Sequence, residues 1–67
     1  MNRWKLKRLE RGETISAFAR RCGVAPLTVS NFERGQAPSF ASTIRALADG
    51  YGVTVRELLD TEEREAA

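Results

Sequence analysis

Glycine and proline cut this chain into pieces too short for anything but small helices. Gly12, Gly23, Pro26, Gly35, Pro38, Gly50 and Gly52 leave no uninterrupted interval longer than 11 residues before position 52. Strand-like alternation is nearly absent between them, whereas apolar side chains recur at three- and four-residue spacing. Over 67 residues this pattern describes one all-α domain, a bundle of five short helices. A chain of this size buries only about 60% of the surface it exposes when unfolded, so a second copy or a nucleic acid would add stability.

The boundaries follow from local chemistry. Asn2 is placed to cap a first helix to about Glu10, with Leu6 and Leu9 on one side, Trp4 beside them, and Lys5, Lys7, Arg8 and Arg11 exposed. Gly12 ends it. Thr14 caps a second helix over about 15–22, where Ile15, Phe18, Ala19 and Cys22 form an amphipathic stripe. Gly23 stops that helix, and Val24 and Ala25 make a turn. Pro26 opens a third helix at the position where its missing N–H costs nothing. Val29 and Phe32 are its apolar face and Gly35 its end. Ser39 predicts the cap of a fourth helix to about Asp49, with Phe40, Ile44, Leu47, Ala48 and Tyr51 spaced for core contact. The run Asp49-Gly50-Tyr51-Gly52 breaks it. Val53-Thr54-Val55 alternates briefly like a strand, but a Thr54 cap ahead of Leu58 and Leu59 favours a short fifth helix. The domain is expected over residues 1–60, with an acidic, disordered tail over 61–67.

Composition removes whole classes of function. Histidine is absent and cysteine occurs once, which excludes zinc-finger and disulfide frameworks, and no metal or cofactor is expected. Cys22 sits in an apolar pattern and reads as a buried free thiol. There are no paired acids in a plausible pocket and no glycine-rich phosphate loop, so an enzyme is not expected. No signal peptide and no membrane-length apolar run is found, and a cytoplasmic protein is expected. Charge divides unevenly along the chain. Residues 1–35 carry eight Lys or Arg against three acids, while residues 36–67 carry three against six. A basic half and an acidic half suit a module that turns one side to a polyanion.

Residues 15–34 form a unit. Two helices joined by a three- or four-residue turn cross steeply, so their closest approach wants a small side chain, here Ala19. The turn itself wants a residue at ease with positive φ, here Gly23. Phe18, Cys22, Val24, Val29 and Phe32 fasten the second of the two helices to the domain. Pro26, Leu27, Thr28, Ser30, Asn31 and Arg34 are left on its other face.

With these residues in place, the chain resembles the helix-turn-helix domains of phage repressors and Cro proteins, the xenobiotic-response-element type with a lambda-repressor-like bundle. The resemblance covers about residues 4–59 and is most specific from Gly23 to Pro38, through the run Ser30-Asn31-Phe32-Glu33-Arg34-Gly35. It implies a double-stranded DNA partner whose major groove receives the third helix. It further implies base-reading roles for Pro26, Leu27, Thr28 and Asn31, and phosphate contacts from Lys5, Thr14, Ser30, Arg34 and Gln36. Arg8 and Glu33 match a structural ion pair between the first and third helices. Three positions depart from the family pattern. Ile15 stands where glutamine is common, extending the core or losing a groove-facing hydrogen bond. Ala25 replaces a capping Ser or Thr. Glu13 replaces an apolar residue and is expected to loosen the join of the first two helices.

The resemblance implies a prokaryotic or phage-encoded transcription regulator, a repressor or controller protein acting as a homodimer on a palindrome. A different class, an antitoxin-like interaction module that binds its own operator, would carry a long apolar extension beyond the bundle. Val53, Val55, Leu58 and Leu59 exceed what one short terminal helix buries, and so are expected at a two-fold interface. The alternative is that all four close the monomer's own core.

Overall fold

The computed structural model describes the backbone of residues 2–66 and the side chains of residues 2–60. Five helices follow one another: α1 (Arg3–Glu10), α2 (Ile15–Cys22), α3 (Pro26–Glu33), α4 (Ala41–Tyr51) and α5 (Val55–Ala66). No strand occurs among the described residues, and no helix there is long and apolar enough to cross a membrane. The tail expected over residues 61–67 lies outside the residues whose side chains are described.

Three of the helix starts are written in their caps. The Asn2 side chain accepts from the Lys5 N–H at 2.9 Å, and the Thr14 hydroxyl accepts from the Ala17 N–H at 3.1 Å. At α5 the pairing is reciprocal. Thr54 Oγ1 accepts from the Glu57 N–H at 3.1 Å, and the Glu57 carboxylate accepts from the Thr54 N–H at 3.3 Å. This capping box turns the ambiguous 53–55 stretch into a helix start.

The core is assembled from one aromatic ring on each of the first four helices: Trp4, Phe18, Phe32 and Tyr51. Tyr51 is their hub, with ring centroids 5.1 Å from Trp4, 4.5 Å from Phe18 and 5.9 Å from Phe32. Each such pair adds ~0.5–1.5 kcal/mol beyond its area burial. Ala19, Val29, Leu47, Ala48 and Leu58 complete the buried set.

Several details differ from the sequence reading. On α1 the buried stripe is Trp4 and Arg8, four residues apart, while Leu6 and Leu9 are exposed. The guanidinium is accepted inside because Glu33 neutralises it there. Ser39 does not cap α4. The cap residue is Phe40, with no side-chain hydrogen bond, and its extended backbone (φ −98°, ψ 134°) carries it off the Ile44–Leu47–Ala48–Tyr51 stripe into solvent. Leu58 is only 1% exposed and belongs to the monomer's core, which removes it from the expected dimer interface. Val53 is half-buried against that core.

Gly50 does not break α4 but lies buried inside it. A Cβ built at this position would overlap Cys22 Sγ and stand 3.1 Å from Phe18 Cζ. The absent side chain is what lets α4 approach α2. Alanine normally gains ~1 kcal/mol over glycine in a helix interior, whereas overpacking costs about 1–3 kcal/mol. Gly50→Ala is therefore expected to lower the melting temperature, and to lose most of that penalty in a Cys22→Ala background. Equal penalties in the two backgrounds would place the obstruction elsewhere.

Candidate nucleic-acid interface

The α2–α3 turn is closed by backbone alone. Gly23 adopts φ 78°, and its N–H and that of Val24 both turn back to the Ala19 carbonyl at 2.8 and 3.0 Å. A Cβ at Gly23 would meet nothing within 4 Å, so glycine is required here for its dihedral and not for space. Ala19, fully buried, is the small residue at the join. Ile15 and Cys22 pack at the margin of the core, which makes Ile15 a core extension. Burial pushes the Cys22 thiol above its ordinary range, in keeping with an inert side chain.

α3 is held on one side and open on the other. Val29 and Phe32 are buried. Leu27 is 66% exposed, Pro26 and Arg34 are exposed, and Thr28, Ser30 and Asn31 are half-buried. Ala25 makes no side-chain cap, and Pro26 stands at the first turn. Two shallow depressions flank the helix. One is lined by Lys5, Arg8, Ile15, Ser30, Glu33 and Arg34. The other is bounded by Thr28, Asn31 and Gln36 together with residues 37–40 and Thr43. Thr14 directly precedes Ile15, so the start of α2 borders the first depression. Of the residues expected to read bases or hold phosphates, Lys5, Ser30 and Arg34 meet at the first depression and Thr28, Asn31 and Gln36 at the second, while Pro26, Leu27 and Thr14 line neither.

The far end of α3 is fixed by a buried network that centres on Glu33. Arg8 donates through Nε to Glu33 Oε2 at 2.8 Å and through Nη2 to Oε1 at 3.1 Å. The two side chains are 5% and 6% exposed. Arg8 Nη1 donates to the Glu13 carbonyl at 2.7 Å, and the Tyr51 hydroxyl donates to Glu33 Oε2 at 3.2 Å. Asn2 Nδ2 donates to the Glu33 backbone carbonyl. Its hydrogen bonds to Glu33 hold the Arg8 guanidinium above its ordinary titration range, against the opposing effect of burial. Burial, and then the Glu33 charge, push the Tyr51 phenol far above its usual range, so it remains a donor. The Arg8–Glu33 pair is visible in the sequence resemblance; the Tyr51 and Asn2 contacts are not.

Glu13 does not loosen the join of α1 and α2. Its carboxylate accepts two hydrogen bonds from Arg21, at 2.8 and 2.9 Å. Arg21 also donates to the Gly50 carbonyl at 2.9 Å and stands 5.2 Å from the Phe18 ring centroid. These hydrogen bonds hold the Glu13 carboxyl below its ordinary range. Arg8 and Arg21 accordingly serve the fold, while Lys5 and Arg34 stay on the α3 surface. Of the residues expected at a dimer contact, Val55 is 39% exposed and Leu59 half-buried, away from the core position taken by Leu58.

A family model described as a helix-turn-helix domain matches residues 3–61. No curated protein and no solved structure matches the chain.

Removing either partner of a buried ion pair strands the other and costs ~3–5 kcal/mol. Arg8→Ala and Glu33→Ala are each expected to destabilise by about that much, and the double substitution by clearly less than their sum. Strictly additive losses in a denaturant-unfolding cycle would contradict the network.

Proposed function

The chain belongs to the helix-turn-helix domain family of the repressor and Cro type, and on that premise we propose that it is a transcription regulator that reads duplex DNA with α3 in the major groove. The observation that carries this reading is the division of α3 into a face fastened by Val29, Phe32 and Glu33 and a face left open between two depressions. A helix about 10–12 Å across fills a major groove about 12 Å wide. Asn31 pairs with adenine through two hydrogen bonds, Leu27 meets a thymine methyl, and Thr28 and Pro26 lie along the same edge. Lys5, Ser30 and Arg34 take phosphates on the α1 side, and Gln36 takes one on the other. Thr14 can offer phosphate a donor, because its oxygen accepts from Ala17 and a hydroxyl retains a proton to give.

A single eight-residue helix reads too few base pairs to mark a site, so the proposal includes a homodimer on an inverted repeat. The longest dimension of one copy, 32 Å, is close to the ~34 Å between half-sites one helical turn apart. Two copies therefore fit side by side on one face of the duplex. Val55 and Leu59 form the proposed two-fold contact, with Val53 at its edge. A dimer seated over two turns of a promoter obstructs other proteins there, which favours a repressor.

Asn31→Ala is expected to relax preference at one base pair per half-site and to cost ~1–3 kcal/mol on the selected site alone. Lys5→Ala should weaken specific and random duplex alike and lower the salt dependence of binding by one phosphate's worth. Competition binding at several salt concentrations separates them, and a loss from Asn31→Ala that is equal on both duplexes would contradict base reading. For assembly, sedimentation of the wild type is expected to show a dimer that Leu59→Glu dissociates without unfolding. A wild type that stays monomeric and binds one half-site as tightly as the palindrome would contradict it.

A further inference from the structure

The two flanks of α3 differ in chemistry. The α1 side presents Lys5 and Arg34, whereas residues 35–44 on the α4 side carry no charge at all. Within that neutral stretch stands Phe40, at 74% the most exposed large apolar residue among those described. It is not on a loose tip. The Thr43 and Ile44 N–H groups both donate to the Phe40 carbonyl, at 3.1 and 3.0 Å, so the ring is carried on the ordered start of α4. It also shares a depression with Thr28, Asn31 and Gln36, which makes it continuous with the open face of α3.

Leu27 and Asn31, four residues apart, fall along the outermost line of α3, with Ser30 and Arg34 on the α1 side of that line and Thr28 on the other. Phe40 stands on Thr28's side. If the outermost line meets the floor of the groove, Phe40 meets its wall, where deoxyribose rings are the apolar part of the backbone. We propose that Phe40 is a DNA-positioning residue that packs against deoxyribose on the α4 side. That flank then grips its strand by apolar contact and neutral hydrogen bonds, while the α1 flank grips by charge. The inference rests on the reading that α3 enters the major groove. A second copy seated on Phe40 would cover Thr28 and Asn31, the residues that reading needs open.

Such a contact is blind to sequence and to ionic strength, which separates it from both Asn31 and Lys5. Phe40→Ala is expected to weaken binding about tenfold on selected and random duplex alike, with the salt slope unchanged. Its melting temperature should match the wild type, because the ring is outside the core. Phe40→Leu should recover part of the loss. A wild type that binds and a Phe40→Ala variant that binds equally well would overturn this proposal and leave the major-groove reading standing. A loss confined to one base pair would overturn it by making Phe40 a base reader. Loss of self-association with half-site affinity intact would assign the ring to a second copy instead. A wild type that binds no duplex at all would overturn both proposals.

Discussion

The orientation of α3 depends on what happens at one carboxylate. Glu33 lies in the last turn of that helix and receives Arg8 from α1 and Tyr51 from α4, while Asn2 reaches its backbone carbonyl. Three parts of the chain therefore converge where α3 ends, and its other end is set by the Gly23 turn. A buried ion pair of this kind adds little net stability, since both charges lose their water. What it supplies is direction. An apolar contact such as Phe32 tolerates some rotation of the helix, but a bidentate guanidinium–carboxylate pair fixes the geometry at that point. The outer face of α3 can then consist of residues that contribute nothing to the core.

The same economy shapes the rest of the bundle. Tyr51 is at once the hub of the aromatic cluster and a donor to Glu33, so packing and polar orientation are joined in one residue. Gly50 beside it permits the close approach of α2 and α4. Arg21 spans that junction from Glu13 to the Gly50 carbonyl. Basic residues that composition alone would assign to a polyanion are thereby split between two tasks. Arg8 and Arg21 hold helices together, and Lys5 and Arg34 remain on the surface around α3.

Features set by neighbours in sequence were legible without a structure. The Asn2 and Thr14 caps, the limits of α2, Pro26 at the start of α3 and the Gly23 turn each depend on a few adjacent residues, and each is found where local chemistry puts it. Features set by distant partners were not. Arg8 reads as exposed on a helical wheel, and only the family resemblance pairs it with Glu33, 25 positions away. Gly50 reads as a helix breaker, since only the proximity of Cys22 and Phe18 reveals the space it leaves. Glu13 reads as an intrusion until Arg21 is seen to meet it. Phe40 shares the apolar spacing of α4, and only its extended backbone removes it from the core. The gathering of Lys5, Ser30 and Arg34 at one depression followed from the family resemblance and not from spacing.

The open face of α3, with its two flanks, is the surface proposed to meet duplex DNA. Titrating isotope-labelled protein with a duplex selected from a random pool, and following amide and Asn side-chain resonances, tests it most directly. The largest shifts are expected on residues 26–34, on the Asn31 side-chain amide, and on Lys5, Thr14 and residues 36–40. Arg21, Cys22, Ala46 and Asp49, on the α2–α4 side, should remain near their unbound positions. Shifts concentrated on that α2–α4 surface, with Asn31 unmoved, would contradict it.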